Sequence, residues 1–221
     1  MSSLTATKPW WQRRQTYVLI GAVILVVLMI LDTKVIGPDD EEEVAPDTAE
    51  EYADEAYESI VVAGVKERAI PIAELVDQML DDPEAAGEEH GHREDDDKPY
   101  SFAVSAQGTV EEGGFGEVGL DIDGLDSDFS VGIAVPPLGS TTALRDASGE
   151  VSFGDFVNQT EYQNVALELN NKAAEDVFAD LDPDDLEGED VTVIGAVKWT
   201  SDTGGEVDAV AITPVEIEVG S

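Results

Sequence analysis

The chain has no cysteine in its 221 residues. That absence excludes disulfides, thiolate metal sites, a cysteine nucleophile and lipid attachment through a cysteine of this sequence. Positive charge is almost as scarce. Eleven lysines and arginines stand against 50 aspartates and glutamates, for a net charge of −39. A surface of that sign repels phosphate backbones, so no nucleic-acid partner is expected. Missing too are a G-x-S-x-G elbow, a phosphate-binding glycine loop and an H-E-x-x-H pair. Carboxylates this abundant read as solvated faces rather than as an acid/base pair, and neither enzymatic activity nor a cofactor is expected.

What is present is unevenly placed. Residues 1–34 carry a net +3, whereas residues 35–221 hold 7 basic and 49 acidic side chains, a net −42. The acidity runs through the part that folds, as in a salt-adapted host, where about 1 M salt screens repulsion within a few ångströms. A secreted domain with solvated acidic loops is the other reading. Near the N-terminus, "YVLIGAVILVVLMIL" spans Tyr17–Leu31, and no charge falls between Arg14 and Asp32, a stretch of 17 residues. That length is at the short end of the roughly 17–25 residues of a membrane helix. Trp10, Trp11 and Tyr17 supply interfacial aromatics, while Lys8, Arg13 and Arg14 mark the cytoplasmic side. No A-x-A-like site follows Leu31, which favours an uncleaved signal anchor over a cleaved signal peptide. "QTYVL" after Arg13–Arg14 fits a twin-arginine export signal poorly.

The expected organisation is therefore a cytoplasmic N-terminus (1–16), a transmembrane signal anchor (17–36) and an acidic tether (37–47). A helical segment with an acidic loop (48–98) and an OB-like β-barrel domain (99–221) follow. Tyr52, Ala56 and Ile60, with Tyr57 and Val61, form one helical face. A second helix opens at Pro71, and its Ile72, Leu75, Val76, Met79 and Leu80 make a full apolar stripe. Residues 81–98 read as a low-complexity acidic loop. From Tyr100 the period becomes two, with Phe102, Val104 and Ala106 on one side; Gly108 then suggests a bulge. Strands around Val118–Ile122 and Phe129–Val135 follow, then a helix carrying Tyr162, Val165, Ala166, Leu169, Ala173 and Val177 to about Asp180. Strands near Val191–Trp199 and Val207–Val219 close the chain. Three strands, one helix and two strands is the order of an OB-type barrel in an α+β fold; an antiparallel sandwich is the rival.

The run "GDFVNQTEYQNVALELNN" is rich in amides in a chain otherwise dominated by carboxylates. Asn158 and Thr160 are N-cap candidates, and Glu161 stands three residues after Asn158, at capping-box spacing. Phe153 and Phe156 are expected to plug the barrel mouth. Arg145, the only arginine after residue 93, is expected to pair with Asp146, Asp155 or Glu161. These residues explain the run without a ligand. A sugar site on the barrel face, built from Trp199, Tyr162, Asn158 and Gln159, is the competing expectation.

The segments "GSTTALRDASGEVSFGDFVNQTEYQNVALELNN", "LEGEDVTVIGAV" and "AITPVEIEV" together resemble a bacterial family of unknown function, made of predicted periplasmic lipoproteins or membrane-anchored proteins. Matching positions are Arg145, Asp146, Phe153, Asp155, Phe156, Asn158, Gln159, Glu161, Tyr162, Leu169 and Asn170. Genes of this family often stand beside sugar ABC transporters, so the resemblance implies an accessory role at the cell surface. It implies no chemistry. The chain departs from the lipoprotein form in lacking the cysteine, which leaves attachment to the anchor helix.

Three further clusters suggest chemistry less strongly. His90 and His92, with Glu88, Glu89 or Glu94 nearby, lie where ligand geometry is not pre-set, so no metal site is expected. Asp121–Asp128 reads as a turn rather than a calcium loop, because the downstream glutamate is absent from its place, and Asp180–Asp190 reads as a helix-ending turn, with loose cation binding as the alternative. Asn158–Thr160 is a glycosylation sequon, but its place at a helix cap argues against modification.

Overall fold

The computed structural model describes residues 49–126, 128–201 and 204–220, all within one compact unit, Ala45–Ser221. The expected cytoplasmic segment, anchor and tether lie outside the described residues. Among the described residues no helix is long and apolar enough to cross a membrane.

The chain enters through α1 (Ala49–Ala56), a π-helical segment (Tyr57–Val62) and α2 (Ala63–Arg68). Residues Ile70–Pro71 then bridge in parallel to the first barrel strand, and α3 begins at Ile72 rather than Pro71, ending at Asp81. The acidic 81–98 segment is not all loop. Residues Pro83–His90 form α4, because Asp82 caps it by accepting from the Ala85 N–H (3.2 Å) and Pro83 takes the first turn. Negative side chains also suit the N-terminal turn of a helix. Gly87 lets α4 lie against Tyr100, since a Cβ there would sit 2.3 Å from its ring.

Five strands close the barrel: β1 (Ser101–Glu111), β2 (Glu117–Asp121), β3 (Ser130–Ala134), β4 (Asp190–Lys198) and β5 (Ala209–Val219). Their order is β1-β2-β3-β5-β4, and β4 returns to β1; β3 and β5 pair in parallel and the other neighbours antiparallel. Closure removes the sheet edges.

Gly108 does not make a bulge. The β1–β4 register runs unbroken from Ser101↔Lys198 to Thr109↔Asp190. Gly108 is instead where β1 crowds β2: a Cβ there would lie 2.2 Å from the Asp121 carbonyl oxygen. The register shift occurs between β4 and β5, where Ile194 faces Glu216 but Gly195 faces Pro214. Val215 is thus the extra residue, beside a proline that cannot donate to the ladder. Its effect is visible in the burial. Val210 and Ile212 face the inner core, Val215 faces the outer one, and Ile217 turns inward again.

Two cores result, one on each side of the β1–β4–β5 wall. The inner one joins Phe102, Val104, Ile133, Val193 and Ile212 to Ile72, Leu75, Val76 and Met79 of α3. The outer one joins Ala103, Ala196 and Val215 to Tyr57, Val61 and Val65, and to Leu144, Val165 and Leu169. The helix between β3 and β4, α6 (Gln159–Val177), therefore covers the outside of the wall, and the element that fills the barrel is α3. Phe153 and Phe156 accordingly do not plug the barrel mouth: Phe156 packs on the outer core and Phe153 is half exposed. A short helix, α5 (Ala143–Ala147), precedes α6 and was not anticipated.

Candidate functional site

Of the signature residues, Arg145, Asp146 and Tyr162 meet at one buried guanidinium, and Phe153 and Phe156 pack on the Tyr162 ring. All five residues of α5 are buried, which brings Arg145 and Asp146 beneath the start of α6. Arg145 is 1% exposed. Its Nε donates to Asp146 Oδ1 (2.8 Å), Nη1 donates to the Tyr162 carbonyl (3.0 Å), and Nη2 reaches both Asp146 (2.7 Å) and Glu94 (3.5 Å). The guanidinium also lies over the Tyr162 ring, 3.7 Å from its centroid. The partners are thus Asp146, as expected, and Glu94, which is distant in sequence; Asp155 and Glu161 are not among them.

Aromatic rings extend this stack. Tyr162 meets Phe153 at 5.7 Å and Phe156 at 5.5 Å, and Phe156 meets Tyr52 of α1 edge-on at 4.8 Å. Burial outweighs the opposing charge of Arg145, and with Asp146, Glu94 and Asp155 it pushes the Tyr162 hydroxyl up to about 12. That hydroxyl stays protonated at any physiological pH and cannot serve as a base.

The amides act as backbone fasteners. Asn158 caps α6, accepting from the Glu161 N–H at 3.0 Å. Asp155 accepts from the Ser152 N–H (3.0 Å) and hydroxyl (3.1 Å), closing the turn at Phe153–Asp155. Asn170 donates to the carbonyls of Gly139 (3.0 Å) and Thr141 (2.9 Å), tying the loop before α5 to α6. Gln159 is exposed and Glu161 half-buried.

The four residues expected to form a sugar site do not meet. Trp199 stacks on Phe129 (5.3 Å, 14°) and packs against the inner core, while Tyr162 belongs to the outer core. His90 bonds Gln78 through Nε2 (3.0 Å) and His92 is exposed. Asp126 and Asp182 accept from the backbone N–H two residues on, as turn aspartates do.

An open cleft of about 430 Å³ lies over β2 and β3, between the β1–β2 loop and the start of β5. Glu111, Glu112, Glu117, Asp121 and Asp126 ring it. Its floor is glycine: a Cβ on Gly132 would come within 2.9 Å of the Glu117 carboxylate. At the tip of the β1–β2 loop, Phe115 is fully exposed beside Gly116, whose φ is +81°. Sequence reasoning passed over Phe115. The "GGFG" around it was the available signal, because glycines on both sides leave an aromatic no strand or helix neighbours to pack on.

The family described as "Predicted periplasmic lipoprotein (DUF2291)" matches residues 22–218. Among solved structures, an OB-fold protein from Thermotoga maritima aligns with a TM-score of 0.61 at 15% identity, over 78% of this chain and 98% of that one. At that identity the likeness speaks for the fold alone. No curated protein matches.

Proposed function

The chain belongs to the family of predicted periplasmic lipoproteins, a family of unknown function, and from there we propose that it is a membrane-tethered interaction module, accessory to a solute transporter of the sugar ABC type. With no cysteine for a lipid, the apolar run Tyr17–Leu31 supplies the attachment in this reading. The acidic surface then reflects work in high salt.

The observation that carries the proposal is Phe115. A large aromatic held wholly in water, at the tip of the loop whose Gly113 and Gly114 line the cleft, is a contact residue without its contact in this chain. The signature cluster supports the same view from the other side, because Arg145, Asp146, Asp155, Asn158 and the Asn170 amide nitrogen are engaged in holding α5, α6 and the turn before it. An acidic rim selects a basic, partly apolar surface on the partner.

The test is co-purification of full-length protein with a transporter subunit from native membranes. Phe115→Ala and Glu117→Lys are each expected to cut recovery of the permease about tenfold or more, the scale of losing one hot-spot contact. Phe115 is at the surface and Glu117 is half-buried over Gly132, so a thermal melt first checks that each variant folds; equal recovery with wild type would remove the proposal. The rim carboxylates, with the Phe115 ring on the adjoining loop tip, also suit a sugar, giving hydroxyl acceptors and a stacking face. Calorimetric titration with mono- and oligosaccharides separates the two, and saturable heat that Phe115→Ala abolishes would favour the sugar.

A further inference from the structure

We propose that Asn158 is the acceptor of an N-linked oligosaccharide, transferred from a lipid-phosphate-linked donor on the outer side of the membrane. Asn158–Gln159–Thr160 is a complete sequon, with no proline between asparagine and threonine. No other asparagine of the chain has serine or threonine two positions on. Membership of a family of predicted periplasmic lipoproteins puts the domain on the side where such donors deliver their sugar.

A place at the helix cap would oppose modification only if capping needed the whole amide. It needs one atom. Oδ1 accepts from the Glu161 N–H at 3.0 Å, whereas Nδ2, the atom that takes the sugar, makes no hydrogen bond among the described residues. A glycosylated asparagine keeps its carbonyl oxygen, so the cap and the glycan coexist. Thr160, whose hydroxyl completes the sequon, is exposed as well. Asn158 stands where extended chain (φ −157°, ψ 166°) turns into α6. Residues 152–155 and 157–160 are all exposed, so a bulky group at this corner meets open solvent.

The surface around the acceptor suits what a sugar would lay on it. Val157, next to Asn158 in the chain, is 77% exposed, and Phe153 is 49% exposed. The edge contact of Phe153 with Tyr162 brings it to the same corner, because Tyr162 lies one turn into α6 and donates its backbone N–H to the Asn158 carbonyl. The C–H faces of a pyranose pack on such side chains and take them out of water. The transfer forms one bond, from Nδ2 to C1 of the first sugar, and breaks one, from C1 to the phosphate oxygen of the donor. The nitrogen lone pair makes the new bond, and the C1–O pair leaves with the lipid phosphate. The amide proton goes to a base of the host's membrane-bound transferase, and nothing is oxidised or reduced.

The experiment isolates the full-length protein from its host's own membranes and maps it by mass spectrometry. Trypsin cuts after Arg145 and Lys172, so the peptide Asp146–Lys172 carries the sequon. An added mass of whole sugar residues is expected on that peptide, placed on Asn158 by fragmentation. Asn158→Asp and Thr160→Ala should each abolish it, and Thr160→Ser should keep it. Asn158→Asp retains a capping oxygen and Thr160→Ala leaves Asn158 in place, so both variants should still melt cooperatively. Two results would overturn the proposal: an unmodified Asp146–Lys172 peptide in the native protein, or a sugar on it that persists in Thr160→Ala.

Discussion

Arg145→Ala is expected to destabilise the domain by about 3–5 kcal/mol, the range for breaking a buried ion pair by removing one partner. For a domain of this size each kcal/mol moves the melting temperature by about 2–4 °C, so a fall of roughly 10 °C is expected in a thermal melt. The loss has three parts. Asp146, itself buried, keeps its charge without a counter-ion. The Tyr162 carbonyl loses its donor, and the Tyr162 ring loses the planar cation on its face. Arg145→Lys should recover only part of the loss, because a compact ammonium lacks the planar fork that grips Asp146 through two nitrogens while lying flat on the ring. Arg145→Met with Asp146→Leu should recover most of it, since removing both charges leaves no orphan. A melting shift below about 2 °C for Arg145→Ala, under 1 kcal/mol on this scale, would mean that the cluster does not hold α5 and α6 together.

Leu75→Ala is expected to cost about 2–5 kcal/mol, because a fully buried leucine leaves a cavity that the surrounding wall cannot close. Leu75 sits on α3, in the inner core with Phe102, Ile133 and Ile212. Leu80, on the same helix, is 53% exposed, and Leu80→Ala should fall within about 0.5 kcal/mol of wild type. Urea denaturation midpoints compare the two directly. If both proved equally mild, α3 would be a surface helix and the barrel would be filled from elsewhere.

These two residues show how unevenly the molecule can be read from its chain. The apolar stripe of α3 was plain, because Ile72, Leu75, Val76 and Met79 recur at helical spacing, but Leu80, read into the same stripe, faces water. Its destination was not. A stripe says that a face is buried and is silent about what covers it, and here the barrel interior took α3 while α6 went outside. Arg145 was marked by its isolation, and Asp146 by adjacency. Glu94 lies 51 positions upstream in a stretch rich in acids, so no local rule distinguishes it from its neighbours. The helix at Pro83–His90 was legible in its Asp82–Pro83 start and was hidden by the run of glutamates.

Composition, period and capping are properties of neighbours along the chain. They were enough for the charge, the helix bounds near Asn158 and the strand–helix–strand order, because each depends on forces acting within a few residues. Which helix fills the barrel, where the register slips at Val215, and the pairing of Arg145 with Glu94 depend on groups far apart in sequence. Those were settled by the competition for buried volume and for partners of buried charge, which begins once the wall has closed.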